Sequence, residues 1–151
     1  MAEFTYNPVQ TVAANQNVIL NTTIGCNKGY VLHRNESGIV TLRGIVNNQC
    51  GCFARYQVTF NGNIALPDGA TAGPISIAIA LEGEPLLTSQ AIVTPAAVEE
   101  YFNVTSTCFI TVPRGCCSHI AVENTSQGAT AADPAPAILI QNANLVIERV
   151  A

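Results

Sequence analysis

The chain has 151 residues, of which 11% are charged and 48% hydrophobic, with a formal net charge of −4 and a mean hydropathy of +0.30. Six Lys plus Arg give no electrostatic basis for nucleic-acid binding, and no apolar run reaches the ~18 residues that cross a membrane as a helix. The length fits a single domain, and charge so far below the roughly 25% of an average soluble domain leads us to expect a surface largely covered by copies of the same chain.

Residues 1–14 read as an extended arm with a bend at Asn7-Pro8, and the compact domain is expected over 15–151. The start, MAEFTYNP, has no basic segment followed by an apolar one, so no signal peptide is expected. The protein is then expected to stay in the cytoplasm, or to leave it by lysis or within a larger assembly.

Residues 16–24 (QNVILNTTI) are rich in β-branched side chains and predict a first strand, followed by a turn at 25–29 and a short strand at 30–34. A second turn at 35–38 leads to a strand at 39–46, with Val40, Leu42 and Val46 on one side. After a loop at 47–52, residues 53–66 predict a long strand that sends Phe53, Tyr56, Val58 and Phe60 to the core. Asn61-Gly62-Asn63 is expected to bulge or kink it.

A loop at 67–73 precedes the most regular stretch of the chain. Ile75, Ile77, Ile79 and Leu81 alternate with Ser76, Ala78, Ala80 and Glu82, the period of a strand with one large apolar face and one small face. The small face predicts close approach of another layer or subunit. Extended character resumes at 86–93. Residues 94–100 (TPAAVEE) are the one helix-like patch, with Thr94 as N-cap and Pro95 at the first position. Strands follow at 101–112, 118–124 and 137–150, the last interrupted by Asn, with loops at 113–117 and 125–136. About eight or nine strands with almost no helix predict a sandwich or barrel.

No catalytic constellation is present. His33 and His119 are the only histidines, and both read as structural or surface residues. Glu99 and Glu100 read as charges at a helix start, favoured by its dipole. Asp68, Glu82, Glu84 and Asp133 lie on loops without the Asp-x-Asp spacing of a Ca²⁺ site. No cofactor is expected. The sequons at Asn21, Asn35, Asn103 and Asn124 are what an Asn- and Thr-rich composition produces by chance.

In order along the chain, GPISIAIALEGEPL, IVTPAAVEEYFNV, ITVPRGCCSHIAVENTS and ILIQNANLVIERV carry a resemblance. Over roughly residues 5–151 the chain resembles the C1q/TNF-like jelly-roll domains at the C-termini of Gram-positive collagen-like surface proteins. It is more similar still to small structural proteins of phages that infect such bacteria. The resemblance implies an all-β jelly-roll sandwich of about eight to ten strands that assembles as a homotrimer. No Gly-X-Y stalk precedes the domain, so a stand-alone subunit is expected rather than a stalked filament.

The expected function is that of a non-enzymatic virion structural protein, decorating or stabilising a capsid or forming a fibre-like knob. Its partners would be its own copies and the major capsid protein or another virion component. Assembly would occur in the bacterial cytoplasm. The rival reading is a receptor- or carbohydrate-binding module at a bacterial or spore surface.

Six cysteines, Cys26, Cys50, Cys52, Cys108, Cys116 and Cys117, are the unusual chemical feature. Jelly-roll topology makes the strands at 39–46 and 118–124 neighbours in one sheet, and those at 53–60 and 104–112 neighbours in the other. The loops carrying Cys50, Cys52, Cys116 and Cys117 are then expected side by side at one end. Three outcomes stay open for them: cross-loop disulfides, a four-thiolate Zn²⁺ site, or free thiols. Cys108 reads as a small buried hydrophobe and Cys26 as either free or paired.

Overall fold

The strand-forming alternation of the sequence resolves into two antiparallel sheets. The structure, a computed structural model, describes residues 1–25, 29–46 and 50–151, and Cys26 lies outside them. The first sheet holds β1 (Ala2–Tyr6), β2 (Gln10–Val12), β3 (Thr22–Ile24), β6 (Phe53–Ala65), β10 (Phe102–Pro113) and β12 (Ile138–Arg149). Its order is β10-β6-β12-β1-β3, with β2 also paired to β12. The second sheet holds β4 (Val31–His33), β5 (Val40–Arg43), β7 (Ile75–Leu81), β8 (Glu84–Pro85), β9 (Ala91–Val93) and β11 (Cys117–Asn124). Its order is β4-β5-β11-β7-β8, with β9 also paired to β7.

The inner faces interlock around Phe4, Tyr56, Phe60, Leu42, Ile77, Ile79 and Ile120, all buried. Each such side chain contributes about 1.5–3 kcal/mol by leaving water. Ile75, Ile77 and Ile79 enter this core, as their period predicts, and Leu81 packs at its margin. The small face of β7 is also closed within the chain: Ala78 and Ala80 are buried, and Ser76 shares hydrogen bonds with Thr125 and Gln90. That face is therefore not waiting for another layer.

Several local expectations change. Residues 1–14 are extended, but β1 sits inside the first sheet between β12 and β3, because Phe4 is needed in the core. The 16–24 stretch divides: Asn17 bridges to Glu123 beside the second sheet, while β3 joins the first. β5 ends at Arg43, which leaves Val46 exposed and buries Ile45 instead. Phe53 faces outward, since the inward register of β6 belongs to Ala54, Tyr56 and Val58.

The kink expected at 61–63 falls on the partner strand. β6 pairs without interruption along β10, while β12 carries a register shift between Gln141 and Asn144, with Asn142 in the left-handed region at φ 55°. Asparagine tolerates that conformation better than most residues. Nor do residues 94–100 wind into a helix. Glu99 takes φ 56° and donates its N–H to the Leu66 carbonyl, while the Glu100 carboxylate accepts from the N–H groups of Ala96 and Ala97. A short 3-10 turn, Leu87–Ser89, divides the 86–93 stretch.

Candidate functional site: a polar sheet face and a cysteine-bearing end

The middle of the first sheet's outer face is a lattice of polar side chains, most of them uncharged Asn and Thr. Cross-strand register lines up Asn103, Asn63 and Gln141 in one row, and Thr105, Asn61, Asn144, Thr5 and Thr22 in the next. Thr107, Thr59, Val146 and Glu3 form a third. Alternation forces these residues onto one side, and directly opposed Asn and Thr side chains then lie close enough to bond. Asn61 Nδ2 donates to Thr105 Oγ1 (2.8 Å), and Asn103 Nδ2 donates to both Asn61 Oδ1 and Asn63 Oδ1 (3.1 Å each). The Thr59 and Thr107 hydroxyls are 3.1 Å apart, and Asn144 Nδ2 donates to Glu3 Oε1 (2.6 Å). Much of the face is thus satisfied laterally. The sequence reading followed only the inward positions; the signal for this face lay in the alternate residues 57, 59, 61 and 63, all Gln, Thr or Asn.

At one end of the sandwich the two cysteine-bearing loops do lie together. Pro113 pairs with Phe53, and the Arg114 N–H donates to the Cys52 carbonyl at 3.0 Å. On the other flank, Gly44 N–H donates to Cys116 O (2.9 Å) and Gly115 N–H to Ile45 O (3.1 Å). Only glycine fits at position 44, where an added Cβ would sit 2.2 Å from Pro113 O. Cys50, Cys52, Cys116 and Cys117 are exposed free thiols. Among the described residues no three His, Cys, Asp or Glu side chains are grouped closely enough to hold a metal ion. Beneath the loops, Tyr56 donates its hydroxyl to Arg43 O (2.5 Å). Burial raises its pKa, Arg149 opposes the rise, and Tyr30 and Cys117 add to it. Cys108 packs against the core from β10, where burial pushes its thiol up to about 11.

The histidines are held by local contacts. His33 Nε2 lies 2.9 Å from Ser37 O, which can only accept, so Nε2 carries the proton; the ring rests 4.7 Å from that of Phe4. His119 Nδ1 is 3.4 Å from Glu82 Oε2, and its backbone N–H donates to Glu82 Oε1 (2.7 Å). Neither has a serine or cysteine side chain among its hydrogen-bond partners. Asp133 accepts from Thr130 within its own loop.

Two six-stranded antiparallel sheets in this order make a C1q/TNF-like jelly roll. The globular domain of zebrafish complement 1qA superposes over 96% of this chain and 94% of its own, at 11% identity and a TM-score of 0.53. Looser likenesses are the C-terminal domain of EclA, a sugar-binding protein (15% identity, 95% and 79% covered, TM-score 0.39), and the CBM22-1 xylan-binding domain of Paenibacillus barcinonensis Xyn10C (12%, 96% and 97%, 0.36). No family matches the chain by sequence, and neither does any curated protein.

Proposed function

We propose that this chain is a non-catalytic assembly protein: a jelly roll that forms a homotrimer and serves as a structural subunit of a phage virion, in capsid decoration or a fibre knob. The observation that carries the reading is the Asn- and Thr-rich, sparsely charged middle of the first sheet's outer face. Its amides and hydroxyls already bond one another, so covering the face costs less desolvation than covering a charged or unpaired surface. The low charge of the whole chain supports the same reading, and so does the sequence resemblance to phage structural proteins.

The rival, a carbohydrate-binding module, draws on the same amides and hydroxyls. Phe109, an exposed aromatic directly beside these rows, weighs against it: the Arg55 guanidinium lies 4.6 Å from its ring centroid and occupies the platform on which a sugar would stack.

Light scattering of the purified protein at micromolar concentration tests the assembly. A trimer mass is expected, and Thr107→Glu, which places a charge amid the lattice, should shift it to monomer. A monomeric wild-type protein would overturn the trimer. Peptide mass spectrometry of purified virions tests the location, where absence of this polypeptide refutes the virion role.

A further inference from the structure

We infer that the cysteine-bearing end is a thiol–disulfide site, in which Cys52 and Cys116 close a covalent bridge between the loop entering β6 and the turn joining β10 to β11. Both residues extend a ladder by one step beyond a strand. Cys52 lies opposite Arg114, whose N–H it accepts at 3.0 Å, and Cys116 lies opposite Gly44, whose N–H it accepts at 2.9 Å. The turn itself is closed by the bond from Cys116 N–H to Pro113 O (3.1 Å), and Pro113 pairs with Phe53, the neighbour of Cys52. A turn so closed keeps its first and fourth Cα atoms within about 7 Å. Cys52 is thus bonded to the second residue of the same four-residue turn whose fourth residue is Cys116, and a bridge between them requires Cα atoms roughly 4.4–6.8 Å apart.

The ladder bond from Arg114 picks out Cys52 over Cys50, and register picks out Cys116 over Cys117. Cys52 keeps the parity of Ala54 and Tyr56, and Cys116 that of Ser118 and Ile120; Tyr56 and Ile120 are buried between the sheets. Cys117 has the opposite parity, beside Arg43. Both bridge partners are exposed, so a reagent reaches them. With glutathione disulfide as oxidant, one cysteine thiolate attacks a glutathione sulfur, forming a mixed disulfide and releasing one glutathione thiol. The second cysteine thiolate then attacks the protein-side sulfur and releases the other. Two cysteine thiols are oxidised and one glutathione disulfide is reduced to two thiols.

Trypsin reads the outcome directly. Cleavage after Arg43, Arg55 and Arg114 separates Cys50 and Cys52, on peptide 44–55, from Cys116 and Cys117, on peptide 115–149, and leaves Cys108 on 56–114. After oxidation of the intact protein and non-reducing digestion, mass spectrometry should find 44–55 joined to 115–149. Cys52→Ser and Cys116→Ser should each abolish the joined species, while Cys50→Ser should leave it. The oxidised wild type should melt about 10 °C above the reduced one, because the bridge closes a long loop. Unjoined peptides, two copies of 44–55 linked together, or a bridge that survives either serine variant would overturn the assignment.

Discussion

The two ends of this sandwich are closed by different means. At the cysteine-bearing end the loops continue the strand ladders: Gly44 bonds Cys116, Ile45 bonds Gly115, Cys52 bonds Arg114, and Arg55 exchanges bonds with Val150 and Ala151. Nearly all of this is backbone. At the opposite end, loops 67–74 and 125–137 are rich in Ala, Gly and Pro, and Pro134 and Pro136 have no N–H to give a ladder. One buried side chain takes its place. Asn124 donates to Val12 O and Pro136 O (3.0 Å each) and accepts the Ser126 N–H (3.0 Å), while Ser126 Oγ accepts from Ser76 N–H (2.9 Å). A cavity of about 310 Å³ remains beside them, lined by Leu66, Pro74, Gly128 and Pro136 among others. Where backbone donors align, an end closes without help from side chains; where they do not, one amide becomes indispensable.

The largest test of this contrast is Asn124→Ala. It removes two donated bonds and one accepted bond in a buried place, and should cost about 4 kcal/mol at roughly 1–3 kcal/mol per orphaned group. Urea unfolding measures it, and a loss below about 1 kcal/mol would mean that water replaces the amide. Gly44→Ala should follow at about 3 kcal/mol, because the new methyl meets the Pro113 and Cys116 carbonyl oxygens, which are backbone and yield little. The smallest effect is pH-dependent and belongs to the cysteine-bearing end alone. The folded-state pKa of Tyr56 is raised above its ordinary value of 10.0, chiefly by burial, so the neutral hydroxyl is the stabilised form. Its contribution is complete below about pH 10 and falls as pH rises through the folded pKa. Thermal unfolding of wild type and Tyr56→Phe between pH 8 and pH 11 should show an alkaline decline that the variant partly lacks.

Much of the fold was legible because alternation is a local property. The inward face of β7, and that of β6 apart from Phe53, follow from the period of their own residues, and the side-by-side cysteine loops follow from the strand order that the jelly roll imposes. Strand ends were less legible. Residues 39–46 read as one strand, yet β5 stops at Arg43 so that Ile45 can turn inward and Gly44 can meet the 113–117 turn. The TPAAVEE stretch has helix-start chemistry, yet the bond from Glu99 to Leu66 holds it in a turn.

The sequence by itself determined the class: low charge, regular alternation and frequent turn residues admit a sandwich or barrel and little else. Only the tertiary structure decided that residues 2–6 are a strand inside a sheet, that the bulge lies on β12 opposite Asn61–Asn63, and that Asn and Thr side chains from several strands bond into one lattice. Those outcomes depend on which strands lie beside each other. Pairing is set by long-range burial of shared apolar faces, which no local pattern encodes.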